Sequence, residues 1–193
     1  MRKNFSGQAR ASSVPPACGR SNVAGYALDG PQGRGYTLKM LEPQPDDYFM
    51  REALRQAQKA YDAGEVPVGA VVVLAGKIIG RAHNQVELLK DATAHAEMLA
   101  LTQAEAAVGD WRLTDCDLYV TKEPCAMCAG AIVHTRIRRV IFGCADISAG
   151  AAGSMMNLLQ MPILNHRCEI TSGVLQNECA AILQDFFRKR RDK

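Results

Sequence analysis

No uninterrupted apolar run approaches the length of a membrane-spanning helix, so no membrane partner is expected. Internal repeats are also missing, which excludes stacked-repeat architectures. The cysteines number seven, an odd count that does not make a disulfide framework. Free thiols suit a reduced compartment, and a cytoplasmic location follows as the expectation. A decisive charge of either sign is lacking too: the net charge is +3 over 193 residues, which says nothing firm about nucleic acid. Apolar residues make up 48% and charged residues 22%, the balance of an ordinary globular chain, with one domain as the expectation.

Acids and apolar periodicity are both scarce in residues 1–39. Six basic residues (Arg2, Lys3, Arg10, Arg20, Arg34, Lys39) stand there against one acid, Asp29. A segment this rich in Gly, Ser, Pro and Arg cannot bury enough surface to offset its ordering entropy, so disorder is expected. An organellar transit peptide is one reading. An over-extended gene start is preferred, with residues 40–193 as the compact domain.

Patterning across the remainder alternates helix and strand. Asp46 or Asp47 can cap a first helix, whose apolar positions Phe49, Ala53, Ala57 and Ala60 recur at helical spacing before Gly64. Val66–Leu74 and Lys77–Ala82 read as a hairpin turning at Ala75-Gly76, with 85–91 as a loop. A helix is expected from Ala94 to Ala107, with Met98, Leu101, Ala104 and Val108 on its buried face. A strand over Leu118–Thr121, a helix from Pro124 to Thr135 and a strand over Arg139–Cys144 follow. Residues 155–160 suggest a short helix and 169–171 a last strand, before a C-terminal helix marked by Leu175, Cys179, Leu183 and Phe186. Such interleaving argues for an α/β layered fold with a mixed sheet.

Two short stretches carry chemistry. Thr93-Ala94-His95-Ala96-Glu97 offers an imidazole and a carboxylate, and Pro124-Cys125-Ala126-Met127-Cys128 offers two thiols three residues apart. Cys125 and Cys128 share one helix face, and a proline at the first helical position would put them in the first turns, where the dipole favours thiolate. His95 and Glu97 point about 200° apart on a regular helix, so both reach one ion only if it lies beyond the N-terminal end. The spacing therefore predicts two helix N-termini converging on one metal. His95, Cys125 and Cys128 make three ligands. A structural zinc is normally closed by four, whereas a catalytic one keeps water in the open place. Zinc lowers the pKa of that water, and Glu97 would shuttle its proton to a ring nitrogen and a leaving amine, which is hydrolytic deamination.

The remaining candidates read more plainly. His83, His134 and His166 have no partner at ligand spacing, and Cys18, Cys116, Cys144, Cys168 and Cys179 read as ordinary small or buried residues. Asn84 follows a strand, where its amide could meet a base edge or simply make a turn.

Taken together, Glu65–Ala70, Thr93–Glu97, Glu123–Ile137, Gly150–Ser154 and Asp185–Arg188 resemble the bacterial tRNA-specific adenosine deaminases over about three quarters of the chain. That resemblance implies a cytidine-deaminase-like three-layer α/β/α sandwich with a five-stranded mixed sheet. It also implies a homodimer, one Zn2+ per subunit, and a tRNA anticodon stem-loop whose wobble adenosine is splayed into the pocket and converted to inosine. Carried over by motif, His95, Cys125 and Cys128 hold zinc, Glu97 shuttles protons and Asn84 contacts the base. Phe186, Phe187 and Arg188 match the ending that lies near the RNA, although a core stripe with a solvated tail would look the same. Two departures stand out: Ala92 replaces a proline, and Lys122 replaces an apolar residue before Glu-Pro-Cys.

The alternatives are a zinc deaminase of a free base or nucleotide, such as guanine or cytosine, and a silent RNA-binding scaffold. The zinc motifs cannot separate the first, but the Gly-Ala-Ala-Gly-Ser loop and the Phe-Phe-Arg ending favour the tRNA enzyme. Glu97 argues against the scaffold, which has no use for that acid.

Overall fold

The computed structural model describes residues 44–191. The expected leader, residues 1–39, lies outside the described residues. The elements are α1 (Asp46–Asp62), β1 (Gly69–Leu74), β2 (Lys77–His83), α2 (Val86–Leu89), α3 (Ala96–Val108), β3 (Cys116–Lys122), α4 (Ala126–His134), β4 (Arg139–Cys144), β5 (Glu169–Ser172) and α5 (Gln176–Arg191).

The strands form one five-stranded sheet in the order β2-β1-β3-β4-β5. β1 runs antiparallel to both β2 and β3, while β3, β4 and β5 are parallel. Alternation along each central strand sorts its side chains between two cores. Val71, Val73, Tyr119 and Ile141 meet Phe49, Met50 and Ala53 of α1 and Cys179 and Leu183 of α5. Ala70, Val72, Leu118, Val120, Val140 and Phe142 meet Ala100, Leu101 and Ala104 of α3 and Ala129, Ile132 and Val133 of α4. Helices thus cover both faces, giving the α/β/α sandwich. Burial on both faces explains why β1 reads as an unbroken apolar run.

The topology also places the site. Because β1 is antiparallel to its neighbours, its start lies beside the ends of β2 and β3. The segments just before Gly69 and just after His83, Lys122 and Cys144 therefore gather along one edge of the sheet, outside the carboxyl ends of the parallel strands. That is where open α/β sheets bind ligands.

Several local expectations are corrected. Asp46 does not cap α1; it is the first helical residue, and its carboxylate accepts from the Tyr119 hydroxyl at 2.8 Å and pairs with Arg139. The loop after β2 contains the one-turn helix α2, which has no buried residue and so left no periodic signal. α3 begins at Ala96 and buries Ala96, Glu97, Ala100, Leu101 and Ala104, whereas Val108 is exposed. Residues 155–160 are turns rather than a helix, because the Met155 and Met156 N–H groups are drawn back to the Gly150 carbonyl.

α1 lies directly on β1. A Cβ at Gly69 would sit 2.1 Å from the Ala53 carbonyl oxygen and 2.4 Å from the Ala57 nitrogen, both backbone atoms that cannot step aside. Gly69→Ala is therefore expected to destabilise by about 1–3 kcal/mol or more through overpacking. Denaturant unfolding monitored by circular dichroism checks this, and an unchanged midpoint would contradict the contact.

Candidate active site

His95 is the N-cap residue of α3, Cys125 is the N-cap of α4, and Cys128 is the third residue of α4. Helix α4 thus begins two residues after Pro124, which precedes the cap and does not occupy the first helical position. Two helix N-termini meet here. The His95 Nδ1 atom lies 3.7 Å from Cys125 Sγ and 3.5 Å from Cys128 Sγ, and the three possible ligand atoms all fall within 4.8 Å of one another. Hydrogen bonds from the Cys128 thiol and His95 hold the Cys125 thiol far below its usual range, at about 3. Sharing with Cys125, together with burial, pushes Cys128 up. Among the described residues this is the one cluster of three His, Cys, Asp or Glu side chains able to hold a metal ion. His83, His134 and His166 stand apart, and His166 instead meets the Ile137 carbonyl.

Glu97, the second residue of α3, is 4% exposed. Burial raises its carboxyl pKa. Asn84 follows β2 and is buried as well, with its side-chain nitrogen donating to Glu65. These residues line a cavity of about 270 Å³ together with Glu65, Val66, Val86, Lys122, Glu123 and Asp146.

The cavity contains groups to which motif reading assigned no role. Glu123 ends the strand-to-motif turn and is 2% exposed. One of its oxygens accepts from the Ala152 and Ser154 N–H groups, each at 3.0 Å. The other accepts from the Asp146 N–H at 2.9 Å and from the Ser154 hydroxyl. Burial alone would push this carboxyl up, but those donors outweigh it and bring it down. The loop is then laid against the second motif, because the Ala151 N–H donates to the Pro124 carbonyl at 2.8 Å. Gly150 is required at the crossing, since a Cβ there would lie 2.4 Å from the Glu123 carboxylate. The acid before Pro-Cys was the available signal, but its donors lie 23 to 31 residues downstream and are mostly backbone.

Lys122, flagged as a departure, pairs with Asp146 at 2.6 Å. Its charge at the cavity wall is therefore matched. Phe186 is buried against Tyr61, Phe187 is exposed, and Arg188 pairs with Asp185. None of these three lines the cavity. The C-terminal residue that does is Arg190, held by the Gly64 carbonyl and by the face of Phe186. Its signal was the basic run after Phe187, although the run alone does not say which member turns inward.

Burial would push the Asp146 carboxyl up, but hydrogen bonds from Lys122 and Ser148 bring it down to about 2. Its folded pKa thus lies below the unfolded value of 3.8, so its stabilising share is full above that value and fades as pH falls towards 2. Lys122→Met should accordingly be less stable than the parent at pH 6, with a narrower gap at pH 3. Urea midpoints at the two pH values measure this, and a gap that widens in acid would contradict the pair.

A profile of the MafB19-like deaminase family matches residues 45–191. The tRNA-specific adenosine deaminase of Bacillus subtilis is 51% identical over 148 residues, covering 77% of this chain and 92% of its own length. The enzyme of the same name from Aquifex aeolicus is 48% identical over 146 residues, 76% of this chain and 96% of its own. A solved tRNA:A34 deaminase, from work on A-to-I editing at the wobble position of transfer RNA, aligns with a TM-score of 0.68 and 44% identity. It covers 70% of this chain and 99% of that one. The chain belongs to the bacterial tRNA-specific adenosine deaminases, within the MafB19-like deaminase family.

Proposed function

We propose that this protein hydrolytically deaminates adenosine to inosine at the wobble position of a tRNA anticodon stem-loop. The observation that carries the reading is the three-ligand His95/Cys125/Cys128 cluster beside a buried acid in an open cavity. The names and extents of the relatives support the substrate class.

The donor set, one imidazole and two thiols at helix N-termini, fits a zinc ion, with one per subunit. Zinc bound by three protein groups would keep a place for water and bring its pKa towards neutrality. Glu97 would carry one proton of the water to the purine ring nitrogen, and then the remaining hydroxyl proton to the departing amine. Its burial-raised pKa suits a group that must both accept and release a proton. The C6–N6 bond breaks, a C6–O bond forms, and ammonia leaves. Asn84 faces the base edge. Arg190 at the rim, and the basic end of α5 behind it, meet backbone phosphates. The same reading includes a homodimer in the cytoplasm. Exposed Leu88, Leu89, Met155 and Met156 supply apolar surface for such a contact. No helix among the described residues is long and apolar enough to cross a membrane.

Purified protein incubated with an anticodon stem-loop carrying wobble adenosine should form inosine. Glu97→Ala should lower the rate by at least roughly 10²- to 10⁴-fold, the usual contribution of a positioned acid–base group. Activity confined to free guanine or cytosine would keep the chemistry and overturn the tRNA reading. Chelation should abolish activity and added Zn2+ restore it, whereas Cys125→Ala should purify without stoichiometric zinc by elemental analysis. Arg190→Ala should weaken stem-loop binding and reduce the slope of log affinity against log salt by about one phosphate contact. An unchanged slope would remove Arg190 from the interface.

A further inference from the structure

Glu65 is a buried carboxylate at the cavity wall for which the proposed chemistry has no use. It is 2% exposed, and among the described residues no lysine, arginine or histidine pairs with it. Its partners are two neutral donors. One oxygen accepts from the Leu88 backbone N–H at 2.7 Å, and the other accepts from the Asn84 side-chain nitrogen at 3.2 Å. Burying an acid against neutral groups is unfavourable when a glutamine of the same shape could stand there.

The difference between the two lies in polarity. A carboxylate only accepts, whereas an amide must offer one acceptor and one donor. With both Glu65 oxygens facing donors, Asn84 can turn only its nitrogen towards the wall. Among the described residues that leaves the Asn84 carbonyl oxygen and its second N–H without a partner, an acceptor beside a donor. An adenine edge presents the complement, the exocyclic amine beside a ring nitrogen, and asparagine reads adenine in this way elsewhere. A 6-oxopurine puts a carbonyl oxygen in place of that amine, so the Asn84 oxygen would meet a lone pair. The product of deamination is such a 6-oxopurine.

We infer that Glu65 is a positioning residue that fixes the polarity of the Asn84 amide, so that the cavity accepts a 6-aminopurine and rejects the 6-oxo product. The inference rests on the adenosine reading above. Glu65 also anchors α2 through Leu88, and so holds the wall formed by Val86 and Glu87 in step with the amide.

Glu65→Gln tests the point, because it changes polarity and little else. Its oxygen must serve the Leu88 N–H, which leaves its nitrogen facing Asn84 and reverses the Asn84 amide. The variant should retain zinc and melting temperature. Its kcat/KM on the adenosine stem-loop should fall roughly 10- to 100-fold, as for one misdirected buried hydrogen bond, while the inosine-containing product inhibits more tightly than in the parent. A purely structural role would weaken substrate and product alike. In an Asn84→Ala background, Glu65→Gln should add little further loss. Should Glu65→Gln fail to fold, Glu65→Asp, which keeps the charge but cannot span both donors, should show the same dependence on Asn84. Parent protein that forms no inosine overturns the adenosine reading and this inference with it. An active parent whose Glu65 losses persist undiminished without Asn84, or whose product affinity falls with substrate affinity, overturns this inference alone.

Discussion

Everything at this site depends on two helix N-termini being brought face to face at one edge of the sheet. Unpaired N–H groups and the positive end of each helix dipole favour thiolate over thiol, and thiolate is the form that binds metal. His95 and Cys125 occupy the cap positions themselves, so the same residues that end the loops are the candidate ligands. Neither helix could be moved without losing the core they share on one face of the sheet: α3 rests on β1 and β2, and α4 joins β3 to β4 as a crossover. The rigid sandwich is what holds a histidine and two cysteines from distant segments within bonding reach of one point.

The cavity is also a study in how one fold treats carboxylates differently. Glu65, Glu97, Glu123 and Asp146 all line it and all are largely buried. Glu123 is satisfied by backbone N–H groups and a hydroxyl, and Asp146 by a lysine, so both are held as anions with lowered pKa values. Glu97 has no comparable set of donors, and burial moves it the other way. Titratable groups pushed apart in this manner suit a division of labour: the lowered ones build walls, and the raised one fits the proton transfer proposed for it. Glu65 takes a further part, using its acceptor-only character to orient a neighbour.

The departure at Lys122 illustrates how context decides the meaning of a substitution. In isolation, a cation before Glu-Pro-Cys looks disruptive to a cavity. Here Asp146 sits across from it on the turn after β4, and the pair closes on itself. Glu123, one residue on, takes the Asp146 backbone N–H, so the two consecutive residues 122 and 123 grip the same downstream turn from the side chain and from the main chain.

Sequence alone determined the alternation of helix and strand, the doubly buried character of β1, and the spacing that calls for an ion beyond two helix starts. These features are local or periodic, and they follow from side-chain pattern and helix geometry. The one-turn helix α2 and the turns over residues 155–160 escaped because individual hydrogen bonds, from Leu88 to distant Glu65 and from Met155 and Met156 back to Gly150, and not periodicity, set their shape. The roles of Glu65 and Glu123 were equally invisible, since most of their donors are main-chain N–H groups, whose positions no side-chain pattern encodes. At the C-terminus the basic run was legible, but only packing of Phe186 against Tyr61 turned Arg190 inward and left Arg188 on its neighbour Asp185. Tertiary structure decided which polar group faces which, because hydrogen-bond polarity is settled only where distant backbone segments meet.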